Sequence, residues 1–291
     1  MTVDAAPARD PQPRSRYDFT RVQLGELLAD QPRYRVDQVW QGLYGPNGDP
    51  ESWTNVPKAL RSRLSDVLAP ALTPLTESVS DEGDTSKWLW SLHDGRQIET
   101  VLMHYPDRST VCISSQAGCA MACGFCATGQ AGFDRHLSTG EIVEQVVRAR
   151  ARAAETGRRL SNVVFMGMGE PFANYDRTWA AVERINDDLG LGARHLTLST
   201  VGVVPGIRRL TTESLQVNLR CRSTSPTTTS ATSWCRSTGG IGWPNSRRPA
   251  PTTSRPLTGD CRSNGPSSTA STTPTDTAVS WPTTPAPYGP T

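Results

Sequence analysis

Several features of membrane, secreted and disulfide-linked proteins are missing from this 291-residue sequence. It has no run of about 18 apolar residues, so we expect no membrane-spanning helix. Residues 1–16 are rich in Pro, Arg and Ala and contain no apolar signal segment. We therefore expect a cytoplasmic protein, in which disulfides are rare. The net charge of +2 neither demands nor excludes a nucleic-acid partner.

The last quarter of the chain lacks most residues that build a core. From Arg220 to Thr291 there is no Lys, Glu or Phe, while Ser, Thr and Pro predominate. Such a composition buries too little apolar area to offset the entropy of ordering the chain. We predict that residues 220–291 are disordered, and that residues 1–16 form a mobile tail. The sequence between them has the composition of a globular protein.

Three cysteines lie on one short segment of that globular part. Cys119, Cys123 and Cys126 have the spacing Cys-x3-Cys-x2-Cys. Three thiolates can hold three irons of a cubane cluster and leave the fourth iron open to a small-molecule ligand. A structural zinc site normally closes with four Cys or His ligands, and no second Cys-x2-Cys is present. The spacing favours an iron–sulfur cluster, with zinc or redox thiols as the alternatives.

Apolar periodicity divides the chain before this triplet into two regions. A period of 3.6 predicts three short helices and hence a small helical module, over 21–29, 36–43 and 57–68. This module is either a packing appendage or a substrate-binding domain. From Leu75 to Ser114 the period becomes two, and Asp94-Gly95 predicts a hairpin between strands 87–92 and 97–103.

After the triplet, predicted strands and helices alternate. Ser138-x-x-Glu141 is a capping box that opens a helix through Arg152. A second helix is predicted over 175–189, with strands over 162–166, 195–200 and from 216 onward. This alternation predicts a parallel sheet covered by helices, with ligands at the carboxyl ends of its strands.

Gly167-Met-Gly169-Glu170-Pro171 directly follows the first of these strands, on the edge where we expect the triplet. Glycines in such a turn let backbone groups approach a ligand closely. Ser199 and Thr200 end the next strand on the same edge. Taken alone, they are better explained as turn or helix caps.

These motifs together resemble the RlmN/Cfr family of radical S-adenosylmethionine (SAM) RNA (adenine) methyltransferases, and RlmN most closely. The resemblance covers residues 17–219. It rests on Cys112-Ile-Ser-Ser-Gln-Ala-Gly-Cys119, the triplet with Phe125 before its last Cys, Gly167 to Pro171, and Leu198-Ser-Thr-Val-Gly-Val-Val-Pro205. It implies an α/β fold, a partial (β/α)6 TIM-like barrel that is truncated here. The expected divisions are a disordered tail 1–16, a helical RNA-binding domain 17–74, a β-hairpin linker 75–104, a radical SAM core 105–219 and a disordered tail 220–291.

The resemblance also assigns roles to residues. Cys119, Cys123 and Cys126 would ligate a 4Fe–4S cluster whose open iron binds SAM. Gly169 and Glu170 would bind the methionyl end of SAM, and Ser199 would contact it further along. Glu99 matches the family's proton acceptor, and Cys112 matches a thiol that forms a transient disulfide with a methylated Cys. Without the resemblance, Glu99 would be an exposed strand carboxylate and Cys112 a buried structural Cys.

The implied reaction is methylation of adenine C2 in 23S rRNA and in tRNA beside the anticodon, with two SAM per methyl. One SAM methylates a C-terminal Cys, and the second yields a 5′-deoxyadenosyl radical that activates that methyl group. An electron donor such as flavodoxin and a monomeric state are also implied. The alternatives are Cfr-type methylation at adenine C8, a non-catalytic RNA-binding fragment and a zinc-binding structural protein.

The family pattern stops at Leu219, where a strand carrying Ser-Leu-His should continue. Reading the codons of Arg220 to Gly240 two nucleotides later permits that continuation. We therefore hypothesise a shifted reading frame near Leu219, by mutation or by an error in the determined sequence. A tail as printed would lack the methyl-carrying Cys, since Cys221, Cys235 and Cys261 have none of its expected context. We then expect cluster binding without methyl transfer.

Overall fold

A computed structural model describes residues 15–46 and 48–221 of the chain, all within one compact unit. The helices and strands are, in chain order, α1 Arg21–Leu27, α2 Tyr34–Leu43, α3 Lys58–Val67, β1 Thr73–Ser80, β2 Thr85–Ser91, β3 Gln97–His104, β4 Ser109–Cys112, β5 Gln116–Gly118, α4 Ala127–Gln130, β6 Phe133–His136, α5 Thr139–Glu155, β7 Leu160–Phe165, α6 Tyr175–Asp187, β8 Leu196–Thr200, α7 Val204–Leu210 and β9 Asn218–Cys221. Short 3-10 turns occur at Pro50–Ser52, Asp81–Gly83, Pro171–Asn174 and Ala193–His195.

One seven-stranded sheet organises the described residues, in the order β1-β2-β3-β4-β7-β8-β9. Strands β1 to β4 pair antiparallel, whereas β4, β7, β8 and β9 pair parallel. Helices α5 and α6 join the parallel strands and pack against each other. The predicted α/β fold with a partial radical SAM barrel is confirmed in this part of the chain.

The hairpin forms as the Asp-Gly pair predicts. Ser91 lies opposite Gln97, and Gly95 has a φ of +78°, which glycine adopts without strain. The hairpin is not separate from the core, however, because β3 pairs with β4, and β4 pairs with β7. Hydrogen bonds therefore continue from the hairpin region over 75–104 into the rest of the sheet.

Both predicted tail boundaries extend too far into ordered chain. Ser15 is buried and donates to the carboxylate of Glu144, while the Arg16 amide donates to the Ala69 carbonyl. At the other end, Arg220 pairs with Ser199 and Cys221 with Thr200 in the β8–β9 ladder. These four residues thus belong to the folded unit. The remaining predicted disorder, in 1–14 and 222–291, lies outside the described residues.

The N-terminal helical module packs on the outer helices of the sheet. The Trp40 indole donates to Asp188 over 2.6 Å, and Asp18 accepts from the Gly140 amide at the start of α5. Glu144, in the middle of α5, accepts from the Ala71 amide over 2.8 Å. Burial raises the pKa of Asp18, although the amide and hydroxyl donors at α5 oppose that shift. The module is therefore anchored at several separate points.

Candidate active site

The sheet has one face buried by helices and one that stays partly exposed. Val111, Val163 and Leu198 point to the buried face. The ladder pairs Val101 with Cys112, Cys112 with Val164, and Val164 with Thr197, so these residues share the other face. Residues two apart on a strand share a face, which places Glu99 and Ser199 there as well. We call this surface the site face. It carries three residues to which the resemblance gives roles.

The cysteine triplet lies on a loop that is closed at its base by a small second sheet. Strand β5 leads into the loop and β6 returns from it, pairing antiparallel. The Cys119 amide donates to the Gly132 carbonyl over 2.7 Å. Gly118, next to Cys119, has a φ of +74°, a conformation that side-chain-bearing residues rarely adopt. The first and last residues of the loop therefore lie next to each other in space.

Inside the loop, the backbone turns tightly around the three thiols. The Cys126 amide donates to the Cys123 carbonyl over 3.0 Å, and Ala122 has a φ of +47°. A Cβ on Gly129 would lie 2.9 Å from the Cys123 amide nitrogen, so glycine is required there. Each thiol-bearing residue is partly exposed. The loop thus presents its cysteines at the surface.

The three thiols are electrostatic neighbours. Burial raises the pKa of Cys119, and the nearby Cys123 and Cys126 raise it further. Among the residues that the structure describes, no three His, Cys, Asp or Glu side chains converge on a single metal ion, and no disulfide joins the cysteines. A cubane cluster spreads its thiolates over separate irons. Three clustered, accessible thiols on one loop therefore fit a 4Fe–4S cluster with one open iron.

The Gly167 to Glu170 turn packs against the segment that leads from β4 to the cluster loop. The Gly167 amide donates to the Ile113 carbonyl over 3.0 Å, and the Ser115 amide donates to the Met168 carbonyl over 2.8 Å. Gly169 has a φ of +98°, and a Cβ there would lie 2.5 Å from the Cβ of Gln116. Both motifs therefore share one edge of the sheet, as predicted. The structure shows one physical reason for glycine at position 169, which is its close packing against Gln116.

Glu170 connects the ends of two parallel strands. Its side chain is buried, one carboxylate oxygen accepts from the Phe172 amide over 3.0 Å, and the other accepts from the Val201 amide over 2.9 Å. Its own amide donates to the Gln116 side chain over 2.8 Å. Glu170 thus bridges the turn after β7 to the turn after β8. The SAM contact implied by the resemblance stays a prediction beside this structural role.

Ser199 and Thr200 have different surroundings. The Thr200 hydroxyl accepts from the Gly202 amide over 3.0 Å and from the Val203 amide over 3.2 Å. These bonds agree with the interpretation of Thr200 as a turn cap. Ser199 is buried on the site face, opposite Arg220 of β9. Only Ser199 is therefore positioned to face a ligand there, and its contact with SAM remains a prediction.

Glu99 lies at the carboxyl edge of the parallel strands, because β3 runs antiparallel to β4. Its carbonyl accepts from the Ser114 hydroxyl over 2.6 Å. Its carboxylate forms an ion pair of 2.6 Å with the Lys87 ammonium. Cys112 ends β4 on the same face and is partly exposed. The two residues with predicted chemical roles are thereby brought to one surface.

Three buried amide side chains that the sequence did not single out hold this edge together. Gln145 is fully buried, and its side chain accepts from the Ser114 amide over 2.8 Å. Asn174 donates to the carbonyls of Ser115 and Leu137, both over 2.9 Å. Gln116 contacts Nδ1 of His136 over 3.0 Å. Of the three, only Gln116 carried a signal in the sequence, because it is a polar residue between β4 and the triplet. Gln145 and Asn174 contact residues far along the chain, which no local pattern indicates.

The arginines near α5 serve packing rather than an open cationic face. Arg148 pairs with Glu144 over 3.0 Å, Arg152 pairs with Glu77 over 3.2 Å, and Arg150 donates to the Tyr44 carbonyl over 3.3 Å. These contacts join α5 to the N-terminal module and to β1.

A cavity of about 530 Å³ opens at the other edge of the sheet, where β4 and β7 begin. Tyr105, Arg108 and Arg159 line it. It lies at the amino ends of the parallel strands, whereas the cluster loop and Glu170 lie at the carboxyl ends. The cavity therefore lies at the opposite edge of the sheet from the residues to which the resemblance gives roles. No helix among the described residues is long and apolar enough to cross a membrane.

Comparisons with known proteins agree with this geometry. The family model described as the Radical SAM superfamily matches residues 113–217. A probable dual-specificity RNA methyltransferase RlmN of Salinispora tropica is 52% identical over 229 residues, covering 74% of this chain and 62% of the relative. The RlmN of Rhodococcus erythropolis, also described as probable, is 50% identical, covering 75% and 62%.

A solved structure is similar as well. The crystal structure of a radical SAM methyltransferase from Sphaerobacter thermophilus matches with a TM-score of 0.68 and 48% sequence identity, covering 71% of this chain and 62% of that chain. The chain thus spans about three fifths of the length of the proteins it matches.

Proposed function

We propose that the site of this chain is that of an RNA methyltransferase, because residues 113–217 match the Radical SAM superfamily model and about three quarters of the chain is similar to proteins named RlmN. Radical SAM domains use a 4Fe–4S cluster and SAM as cofactors. The observation that supports the proposal is the shared edge: the thiol loop, the Gly167 to Glu170 turn and the site face meet at the carboxyl ends of β4, β7 and β8.

Each residue has a proposed task at this edge. Cys119, Cys123 and Cys126 hold the cluster, while Gly169, Glu170 and Ser199 bind SAM. A 4Fe–4S cluster held there would supply the electron for reductive cleavage of SAM. The three cysteines are partly exposed, so the loop is accessible to both cofactors.

Two residues of the site face have proposed roles in the methyl transfer itself. We assign to Glu99 the acceptance of the proton from adenine C2, because its carboxylate is partly exposed beside the loop. Cys112 supplies the thiol that forms a transient disulfide with a methyl-carrying Cys, which the family places beyond the described residues. The proposed substrates are 23S rRNA and tRNA, the electron donor is a flavodoxin-like protein, and the protein acts as a cytoplasmic monomer.

The chain spans about three fifths of the length of the relatives that it matches. Residues 220–291 depart from the family pattern and provide no Cys in the context of a methyl carrier. We propose that the chain binds the cluster and SAM, and that methyl transfer requires the family's continuation after Leu219. Resequencing the gene around that codon tests the shifted frame, and an intact frame that encodes the printed tail excludes a sequencing error.

Anaerobic reconstitution tests the cofactor assignment. We expect about four irons per chain, a brown protein, and 5′-deoxyadenosine when SAM and a strong reductant are added. Cys123→Ser should lose most of the iron, whereas the matched variant Cys221→Ser should keep it. Bound zinc instead of iron, or equal iron in the two variants, would contradict the assignment.

RNA products test the reaction. After incubation with rRNA and tRNA, mass spectrometry separates 2-methyladenosine from 8-methyladenosine. The printed chain should form neither, and a chain with the frame restored should form the C2 product. The C8 product would indicate the Cfr-type reaction, and any C2 product from the printed chain would contradict the requirement for the continuation.

A further inference from the structure

We propose that Lys87 is a positioning residue that holds the carboxylate of Glu99 over the site face. The proposal rests on the proposed function, since Glu99 is there the proton acceptor. The Lys87 Nζ lies 2.6 Å from Oε1 of Glu99, within charge-assisted hydrogen-bonding distance. Both side chains are nearly half exposed, at 48% and 42%, so the pair lies at the surface where a substrate base would arrive.

The strand register explains why Lys87 can reach this place. Lys87 of β2 lies opposite Val101 of β3, and Val101 lies opposite Cys112 of β4. Directly opposite residues share a face, so Lys87 projects from the site face in the same row as Cys112. With strands spaced about 4.8 Å apart, the two Cα atoms are about 10 Å apart. Lys87 therefore extends its ammonium from the antiparallel strand β2 towards the part of the site face that carries Glu99 and Cys112.

Glu99 is held from two sides. Its carbonyl accepts from the Ser114 hydroxyl, on the segment that leads to the cluster loop. Its side chain has the Lys87 ammonium as its partner on the other side, from β2. The backbone contact alone leaves the carboxylate free to rotate about its side-chain torsions. The ion pair is what fixes the carboxylate oxygens in one direction.

The ion pair between Lys87 and Glu99 is also weak enough to open, since both side chains are partly exposed. Because the pair is exposed, water screens it and the interaction is modest. The carboxylate can therefore leave the ammonium when a substrate base arrives. Lys87 thus sets the resting direction of Glu99 without burying it.

Carboxylate labelling of the full chain tests this inference. The protein is treated with a carbodiimide and glycine ethyl ester, and peptide mass spectrometry gives the labelled fraction at Glu99 relative to exposed Glu155. In Lys87→Met the fraction should rise about twofold to fivefold. Lys87→Arg should restore the protection, because guanidinium also pairs with a carboxylate. Iron content and the thermal midpoint should stay at the wild-type values in both variants.

The chain offers a matched control, since Lys58 is its only other lysine. Lys58→Met, at the start of α3, should leave Glu99 labelling unchanged. Equal labelling of Glu99 in the wild type and in Lys87→Met, or a failure of Lys87→Arg to restore protection, overturns the inference. Labelling requires neither cluster nor RNA. An absence of cofactor binding would thus refute the proposed function and would leave the labelling result to decide the role of Lys87 separately.

Discussion

Replacing Glu170 by alanine removes a side chain that links the turns after β7 and β8. Both carboxylate oxygens accept backbone hydrogen bonds, from Phe172 over 3.0 Å and from Val201 over 2.9 Å. Glu170 itself is 3% exposed, so water does not readily replace the lost acceptor. A buried donor left without a partner costs about 1–3 kcal/mol. Two such donors predict a loss of about 2–6 kcal/mol in the free energy of unfolding.

Thermal unfolding measures this loss. In a folded unit of about 200 residues, each kcal/mol shifts the midpoint by about 2–4 °C. Glu170→Ala should therefore unfold about 4–24 °C below the wild type. Glu170→Gln keeps one acceptor oxygen and should lie between the two. Glu155→Ala is the matched control, because the Glu155 side chain is 62% exposed and pairs only with Arg152 at the end of α5. Its midpoint should change by about 2 °C or less.

The same variants separate the structural role of Glu170 from its proposed contact with SAM. A Glu170→Ala midpoint within about 2 °C of the wild type would refute the reasoning, because the two amides would then have found other partners. Calorimetry on the reconstituted Glu170→Gln protein measures SAM binding and thereby tests the proposed contact with the cofactor. A stable Gln variant that no longer binds SAM would show that the carboxylate serves the cofactor rather than the fold.

Three further changes follow from the same edge of the sheet. Gly169→Ala should lower the unfolding free energy by more than about 1 kcal/mol in urea titration, since φ is +98° and the new Cβ would lie 2.5 Å from Gln116; an unchanged urea midpoint would contradict the packing argument. Ser138→Ala removes the cap of α5 and should cost about 1 kcal/mol in the same titration, whereas no change would mean that Asp18 replaces the cap. Burial lowers the pKa of His136 below 6.5, so its contribution to stability is present above that pH and is lost as the pH falls through the lowered value. His136→Asn should therefore flatten the fall in thermal midpoint between about pH 7 and 5, and an equally steep fall in the variant would assign it to other groups.

Local signals in the sequence were sufficient for several elements. The capping box predicted the start of α5, and the structure shows both of its reciprocal bonds between Ser138 and Glu141. Asp94-Gly95 predicted the hairpin, whose register the structure confirms. Both signals work because the interacting atoms are only a few residues apart. The Gly169 motif was located on the correct edge, although its close packing on Gln116 was not foreseen.

Contacts between distant parts of the chain were beyond these signals. The bond from Glu170 to Val201 spans 31 residues, and that from Trp40 to Asp188 spans 148. No periodic or spacing pattern in the sequence predicts either of these two hydrogen bonds. The pairing of β4 with β7 likewise joins residues about fifty positions apart.

The sequence by itself determined the chemical character of this protein, through three cysteines at a fixed spacing and the motifs that follow them, because ligand type and spacing are local properties. Only the tertiary structure decided how that character is presented. Strand register placed Glu99, Cys112 and Ser199 on one face, brought Lys87 to Glu99 and used Glu170 to connect two strand ends. Side-chain direction and pairing depend on hydrogen bonds between strands far apart in sequence, and these form only when the whole sheet assembles.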